Sequence, residues 1–220
     1  MAVKAVFLDI DDTLFPSKAF AARARRAAVR AMVREGAGIP EKRLCSELER
    51  AVREFGSNYP GHFNKVLRKL KVRGWARYSA AGIRAYHDEK DRMRLFPGAR
   101  RALLKLKRSG VRLFVASEGV PVKQWDKLIR LGVSELFDSV LVSRKKSEPF
   151  FRRALSKARV SAREAVMVGD KLEKDAKPAL KAGMGAVLVC KNRPPARERE
   201  KNLFFAKSVA DLPGIISKIG

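Results

Sequence analysis

The chain has 220 residues, of which 46% are hydrophobic. A chain of this length and composition forms one or two domains and buries roughly 70% of the surface that its unfolded state exposes, which excludes a disordered protein. No apolar run approaches the roughly 18 residues of a membrane span. Its two cysteines, Cys45 and Cys190, lie far apart and exclude a disulfide scaffold and a cysteine-rich zinc site. The first residues have no secretory-signal pattern, so we expect a soluble cytoplasmic protein with reduced thiols and no membrane partner.

The charge is unusual, because 49 lysines and arginines stand against 23 acidic residues, which gives a net charge of +26. Such a balance attracts polyanions, among them nucleic acids and phosphorylated metabolites. The basic residues are nevertheless spread over the whole chain, from Arg23–Arg34 to Lys191–Lys201. Dispersed charge is typical of solvated helix faces, so a nucleic-acid-binding face is the less favoured interpretation.

The predicted elements begin with a buried strand, Val3 to Leu8, which is apolar and β-branched and ends at Asp9. The next convincing buried strand is Val111 to Ala116. The 81 residues from Pro16 to Phe96 lie between the two strands. A simple strand–helix–strand crossover takes only about 30 residues, so an inserted segment is expected here.

The insert is predicted to be helical. Four apolar stretches in it are expected to form helices, and glycine-rich or proline-containing segments separate them. They begin at Ser17, after Pro40, near Phe63 and near Trp75.

After Pro97 and Gly98 the pattern becomes a regular alternation of helices and strands. The strands predicted after the second one are Ser139–Val142, Ala165–Val168 and Gly185–Cys190. Such alternation predicts a parallel sheet covered by helices on both faces. The expected fold is therefore α/β, with a Rossmann-like parallel sheet core (residues 1–15 and 97–220) and a helical domain inserted after the first strand (residues 16–96).

Polar residues that can carry chemistry follow each of four predicted strands. In an open α/β sheet, ligands bind beyond the carboxyl ends of the strands, so we expect these residues to meet at one edge. In chain order they are Asp9–Thr13, Ser117–Gly119, Ser143–Lys146, and Gly169–Asp170 with Asp175 five residues further on.

The residue types at this edge suit the handling of a phosphate ester. Asp9, Asp170 and Asp175 would repel one another unless a cation lay between them. Mg²⁺ prefers carboxylate oxygens and commonly recruits substrate phosphate oxygens as well. A lysine and a serine hydroxyl can hold the remaining phosphate oxygens. Asp11 can protonate a leaving alkoxide and later activate water, and an aspartate nucleophile can form an aspartyl-phosphate.

The motifs resemble those of the haloacid dehalogenase superfamily. The segment FLDIDDTL, which contains Asp9 and Asp11, resembles its DxDx[TV][LV] signature, and VGDKLEKD resembles its GDxxxxD motif. The resemblance implies that Asp9 is the nucleophile, Asp11 the general acid/base and Ser117 a phosphate ligand. It also implies that Mg²⁺ is held by Asp9, the Asp11 carbonyl, Asp170 and Asp175. Dehalogenating members lack the second aspartate of the first motif, so Asp11 indicates phosphoryl transfer.

Two positions depart from the family pattern. The third motif reads Lys145-Lys146-Ser147-Glu148-Pro149-Phe150-Phe151. Counting back from Phe151 assigns the catalytic lysine to Lys145 and leaves Lys146 a substrate-binding role, although a small loop shift would exchange the two. Ser117, Glu118 and Gly119 are the candidate substrate-binding residues after the second strand, and Glu118 stands where the family usually has a small or amide residue. A carboxylate beside the phosphate is unfavourable unless it points away or binds a cation.

The inserted segment resembles a helical cap of subfamily I. The segments FGSNYPGHF and PVKQW resemble an archaeal branch of that subfamily. Asn58, Tyr59 and His62 lie in the first of these segments and are candidates for substrate contacts, although loop composition also explains them.

The predicted function is that of a Mg²⁺-dependent phosphatase, which hydrolyses a small phosphorylated metabolite through an aspartyl-phosphate. One alternative is a mutase-like phosphotransferase with the same chemistry. Another is a basic protein that binds nucleic acid or the ribosome on a degenerate phosphatase scaffold. The sequence leaves the substrate and the oligomeric state open.

Overall fold

The computed structural model of the protein describes residues 2–190 and 200–219, so most of the basic segment Lys191–Lys201 lies outside the described residues. The chain divides into two compact units. The core unit comprises residues 1–16 and 94–220, and the helical unit comprises residues 17–93. The division expected from the sequence placed these limits a few residues away, at Phe15 and Phe96.

The core unit is built on a parallel sheet. Within the described residues, six strands lie in the order β3-β2-β1-β4-β5-β6, and each neighbouring pair is parallel. This arrangement confirms the predicted α/β fold. The strands are β1 (Ala5–Leu8), β2 (Arg112–Glu118), β3 (Ser139–Ser143), β4 (Ala165–Gly169), β5 (Gly185–Val189) and β6 (Leu203–Ala206).

Helices follow the strands of the core unit, as the alternating pattern predicts. All four residues of β1 are buried. Because successive side chains of a strand point to opposite faces, both faces of the sheet centre are covered. The helices are α5 (Ala99–Arg108), α6 (Pro121–Arg130), α7 (Glu148–Ala158), α8 (Lys177–Lys181) and α9 (Leu212–Ile219).

The register of the three central strands fixes where the site forms. Leu8 at the end of β1 pairs with Val115 of β2 and with Val168 of β4. The Asp9 backbone N–H then donates to the Val168 carbonyl at 2.9 Å, which continues the ladder by one residue. The residues after these strands therefore emerge at one edge of the sheet.

The helical unit has its own apolar core. Its helices are α1 (Ser17–Arg34), α2 (Glu41–Phe55), α3 (His62–Lys69) and α4 (Trp75–Lys90), as the sequence pattern predicts. Met32 of α1, Leu44 and Leu48 of α2, and Leu67 of α3 are buried in one cluster. Gly82 of α4 allows close packing there, because a Cβ at this position would overlap the Met32 side chain.

Strand β6 was not predicted. It has only four residues and follows a strongly charged stretch, so it shows neither a long apolar run nor a clear alternation. It adds an outer strand beside β5 and lies away from β1 and β4 in the sheet order. Within residues 2–190 and 200–219, the structure contains no helix whose length and apolarity would let it cross a bilayer.

Candidate active site

The loop after β1 is a tight turn that carries two of the predicted acids. Asp12 adopts a left-handed backbone with φ of 58°, and its N–H donates to the Phe15 carbonyl at 3.0 Å. Asparagine and aspartate tolerate this conformation better than most residues. The turn leaves Asp9 buried at the strand end and Asp11 half-buried two residues further on.

Three carboxylates gather beside this turn and form what we call the acid cluster. One oxygen from each of Asp9, Asp170 and Asp175 lies within 4.8 Å of the others. Gly169, the last residue of β4, permits the arrangement, because a Cβ there would overlap the Asp175 carboxylate. Asp175 also accepts the Lys171 N–H at 2.9 Å. The acids predicted from opposite ends of the chain are thus in one cluster.

Lys146 is the buried cation that enters this cluster. Its Nζ lies 3.0 Å from Asp9 Oδ1, forms an ion pair with Asp175 and donates to the Ala116 carbonyl at 3.4 Å. Burial alone would lower the pKa of Lys146, but the charges of Asp9 and Asp175 outweigh it and hold that pKa above its ordinary value. Lys146 is therefore the ammonium group of the site.

The assignment of the catalytic lysine to Lys145 needs correction. The Lys145 side chain is exposed, whereas Lys146 is buried against the acids. The segment between β3 and α7 spans only residues 144–147. In so short a connection, a shift of one residue changes which lysine reaches the acids. Counting back from Phe151 therefore gives Lys145, whereas the structure puts Lys146 there.

The sequence left open how a carboxylate at Glu118 is accommodated beside the phosphate site. The structure shows that it binds a cation and a backbone donor. Its Oε2 accepts Lys174 Nζ at 2.7 Å, and its Oε1 accepts the Lys146 N–H at 2.9 Å. Burial would raise the pKa of Glu118, but these two hydrogen bonds hold it below its ordinary value. Both carboxylate oxygens are occupied by the protein itself.

The neighbours of Glu118 lie at the end of β2, as predicted. Ser117 is buried, and its Cα pairs with that of Val142 on β3. Gly119 has φ of +137°, a conformation that residues with side chains rarely adopt. A Cβ there would also lie 2.8 Å from Gln124 Nε2, which donates to the Glu118 carbonyl. This strand end is therefore tightly constrained.

Carboxylates outnumber the buried ammonium group in the acid cluster. Asp9, Asp170 and Asp175 supply three carboxylates, and Lys146 supplies a buried ammonium group. Lys171 Nζ lies 3.8 Å from Asp170, but its side chain is 42% exposed, so solvent screens this pair. Burial, and next the charge of Asp9, raise the pKa of Asp175 to about 6. Oxygen donors with excess negative charge commonly bind Mg²⁺, so the residues present fit that ion.

Lys127 contacts a candidate catalytic residue and was not predicted from the sequence. Lys127 of α6 places its Nζ 2.7 Å and 2.6 Å from the two carboxylate oxygens of Asp11. Both side chains are half-buried, with 23% of Lys127 and 28% of Asp11 exposed. No sequence signal distinguishes Lys127 from Lys123 one helical turn earlier, because only the tertiary structure brings Asp11 within reach.

The three candidates for substrate contacts lie in the helical unit: Asn58 and Tyr59 in the segment between α2 and α3, and His62 at the first position of α3. The Tyr59 ring packs against Phe55, with ring centroids 5.2 Å apart, and against the edge of His62 at the same distance. Asn58 and Tyr59 are exposed. Their role in substrate binding stays a prediction.

Comparison with known proteins identifies the family of the chain. The family model of haloacid dehalogenase-like hydrolases matches residues 3–183. A glyceraldehyde 3-phosphate phosphatase from Pyrococcus abyssi is 40% identical over 191 residues, which cover 84% of this chain and 80% of the relative. The phosphatase of the same name from Pyrococcus furiosus is 38% identical over 220 residues, which cover 97% of this chain and 92% of the relative.

A solved structure extends the comparison to the fold. The crystal structure of a haloacid dehalogenase-like family hydrolase from Xanthomonas campestris matches with a TM-score of 0.72 and 21% identity, over 99% of this chain and 92% of that one. The chain belongs to the haloacid dehalogenase-like hydrolase family. The predictions of this family, of a hydrolytic enzyme and of a phosphatase are confirmed. The alternative of a nucleic-acid-binding protein finds no support in these comparisons.

Proposed function

We propose that the protein is a Mg²⁺-dependent phosphatase of a small phosphorylated metabolite, and that glyceraldehyde 3-phosphate is the first substrate to test. The observation that carries the proposal is the cluster of Asp9, Asp170, Asp175 and Lys146 at the ends of parallel strands. The relatives named above support the choice of substrate, since their names contain this triose phosphate.

The metal would be held by Asp9 and Asp170, with the Asp11 backbone carbonyl as a third ligand. Asp175 would support the site from behind, because it is already engaged by Lys146 and by the Lys171 N–H. Mg²⁺ would supply charge neutralisation, which lets a phosphate dianion approach the carboxylate of Asp9.

The phosphate group would be held by donors at the neighbouring strand ends. The hydroxyl of Ser117 and the ammonium group of Lys146 each offer hydrogen bonds to phosphate oxygens. Lys146 already lies 3.0 Å from Asp9, so a phosphate bound by it would be close to the nucleophile. Glu118 takes no part in these contacts, because both of its oxygens are engaged by the protein.

The reaction would proceed in two steps. In the first, a carboxylate oxygen of Asp9 forms a bond to phosphorus, the ester P–O bond breaks, and the leaving alkoxide takes a proton from Asp11. In the second, water attacks the phosphorus of the aspartyl-phosphate and gives its proton to Asp11, and the bond from phosphorus to Asp9 breaks. Inorganic phosphate and the free enzyme result.

The resemblance of the inserted segment to a helical cap supports a role for the helical unit in excluding bulk water during the first step. Asn58, Tyr59 and His62 would then contribute to the choice of substrate. A mutase-like transfer to a sugar acceptor stays an untested alternative, which phosphorus NMR of the products would detect. The expected cytoplasmic location also stays a prediction.

The test is a panel of phosphorylated metabolites incubated with the purified protein, with Mg²⁺ and with a chelator. We expect release of inorganic phosphate with Mg²⁺ alone, and the highest kcat/KM for glyceraldehyde 3-phosphate or a compound of similar size. Activity that is unaffected by the chelator would contradict the metal assignment. A preference for large or polymeric phosphates would contradict the proposed substrate class.

A further inference from the structure

Glu118 connects three segments of the site although it touches none of the reacting groups. It ends β2 directly after the buried Ser117, and 20% of its side chain is exposed. Its Oε1 reaches the segment after β3, through the Lys146 N–H, and its Oε2 reaches the segment after β4, through Lys174. Glu118 therefore links the ends of three strands, although its side chain is partly exposed.

The two contacts differ in what they can do for the site. Lys174 is 55% exposed, and an ion pair at such a position contributes little because solvent screens it. The other contact is to the backbone of Lys146, whose side chain is only 3% exposed and extends into the acid cluster. Fixing that backbone fixes the point from which the ammonium group reaches Asp9.

The local chain explains why such a fixed point is needed. Only residues 144–147 connect β3 to α7, and they contain adjacent lysines. Ser143 Oγ accepts the Lys145 N–H at 3.3 Å, so Lys145 and Lys146 are anchored by different acceptors. Lys146, whose N–H donates to Glu118, is the buried lysine, and Lys145 is exposed.

We propose that Glu118 is a positioning residue, which holds Lys146 in the site through the hydrogen bond from the Lys146 backbone N–H to Glu118 Oε1. The inference rests on the proposed function, because Lys146 is there the group that holds phosphate beside Asp9. The role belongs to the acceptor oxygen of Glu118 and not to its negative charge. The ion pair with Lys174 serves only to orient the carboxylate.

The acceptor and the charge can be separated by substitution. Glu118→Ala removes both, whereas Glu118→Gln keeps an amide oxygen that can accept the Lys146 N–H. Lys174→Met leaves the acceptor intact and removes the ion pair. In Glu118→Gln the new amide NH₂ group would face Lys174 as a second donor, so the double variant Glu118→Gln with Lys174→Met relieves that conflict.

Steady-state kinetics with p-nitrophenyl phosphate and Mg²⁺ should rank these variants. We expect Glu118→Ala to lower kcat/KM by about 10- to 100-fold, the range that misplacing a catalytic group by about an ångström produces. The inhibition constant for inorganic phosphate should rise in the same variant, because Lys146 would hold phosphate less well. Glu118→Gln should recover most of the loss, the double variant more of it, and Lys174→Met should stay within about threefold of the wild type.

Crystal structures of the Ala and Gln variants give a readout that does not depend on activity. The inference predicts that Lys146 Nζ leaves Asp9 in Glu118→Ala and stays beside it in Glu118→Gln. A Lys146 that keeps its place in Glu118→Ala would overturn it, and so would equal losses in Glu118→Ala, Glu118→Gln and Lys174→Met. An inactive wild type would instead contradict the proposed function, and the two crystal structures would still decide the role of Glu118.

Discussion

Buried acidic groups occur in both units of the molecule, and their surroundings differ. In the helical unit, Glu89 of α4 is buried and accepts hydrogen bonds from two arginines, Arg23 at 2.7 Å and Arg92 at 3.0 Å. One carboxylate is thus met by two cations. In the core unit, three carboxylates form the acid cluster, and the buried ammonium group of Lys146 pairs with two of them, Asp9 and Asp175.

A structural ion pair and a candidate metal site differ in whether the chain itself supplies the opposite charge. A buried charge needs partners of opposite charge. In the helical unit, the carboxylate of Glu89 has them in two arginines of the chain itself. In the acid cluster of the core unit, oxygens of three carboxylates lie within 4.8 Å of one another, and a cation from solution would reduce their repulsion. The net charge of +26 does not reveal this difference, because the excess of carboxylates is confined to the acid cluster.

Asp9→Asn is the strongest test of this comparison. It removes the nucleophile, so we expect kcat to fall by more than about 10⁴-fold, as for the loss of other catalytic nucleophiles. It also removes one of the crowded charges, so the metal-free protein should unfold at the same temperature or a higher one. Phosphate release and thermal unfolding measure the two effects. Retained turnover would refute the assignment, and a large drop in Tm would point to a structural role.

Mg²⁺ should stabilise the core unit, because it supplies the charge that the acid cluster lacks. At a concentration about 100 times its Kd, a ligand that binds only the folded state adds about 2.7 kcal/mol to the free energy of unfolding. Thermal unfolding with and without Mg²⁺ measures the shift. The double variant Asp9→Asn with Asp170→Asn should lose it, and an equal shift in that variant would place the ion elsewhere.

Lys127→Met tests the contact that the sequence did not reveal. The ammonium group bridges both oxygens of Asp11, so its loss lets the carboxylate rotate away from the leaving group. We expect kcat/KM for an alkyl phosphate to fall about tenfold, which is less than the roughly 10²- to 10⁴-fold contribution of general acid–base catalysis, because Asp11 itself remains. The loss should be smaller for p-nitrophenyl phosphate, whose leaving group departs without a proton.

Two further variants serve as controls for that experiment. Lys127→Arg keeps a cation that can bridge a carboxylate and should retain most of the activity. Lys123→Met changes the net charge of α6 equally, one helical turn away, and should leave kcat/KM unchanged. Equal losses for the alkyl and aryl esters in Lys127→Met would show that Lys127 does not act through Asp11.

The sheet and the acids at its edge could be predicted from the sequence, because both depend on short-range signals. Apolar runs such as Val3–Leu8 define buried strands, and parallel strands necessarily bring their carboxyl ends together. Asp9 and Asp170 could be placed in one site for that reason, although 160 residues separate them in sequence.

The errors arise where a tertiary contact decides. The structure buries Lys146 and exposes Lys145, and the Lys146 N–H donates to Glu118, 28 residues earlier in the chain, a contact that no periodicity encodes. Likewise, Lys127 reaches Asp11 across 116 residues of sequence. Contacts between polar groups far apart in sequence depend on the packed structure. The sequence could therefore name Asp11 and Glu118 as candidates, but not which lysines they contact.

The smallest expected effect is that of Glu89→Gln in the helical unit. The substitution keeps one acceptor and removes the charge that Arg23 and Arg92 share. Because those arginines are 52% and 73% exposed, they regain water, and we expect the free energy of unfolding to fall by only about 1 kcal/mol. Urea unfolding measures the loss, with Glu54→Gln on the exposed face of α2 as the matched control. The stabilisation by Mg²⁺ should be unchanged in both variants, because Glu89 is already paired with two arginines and is not expected to bind the ion.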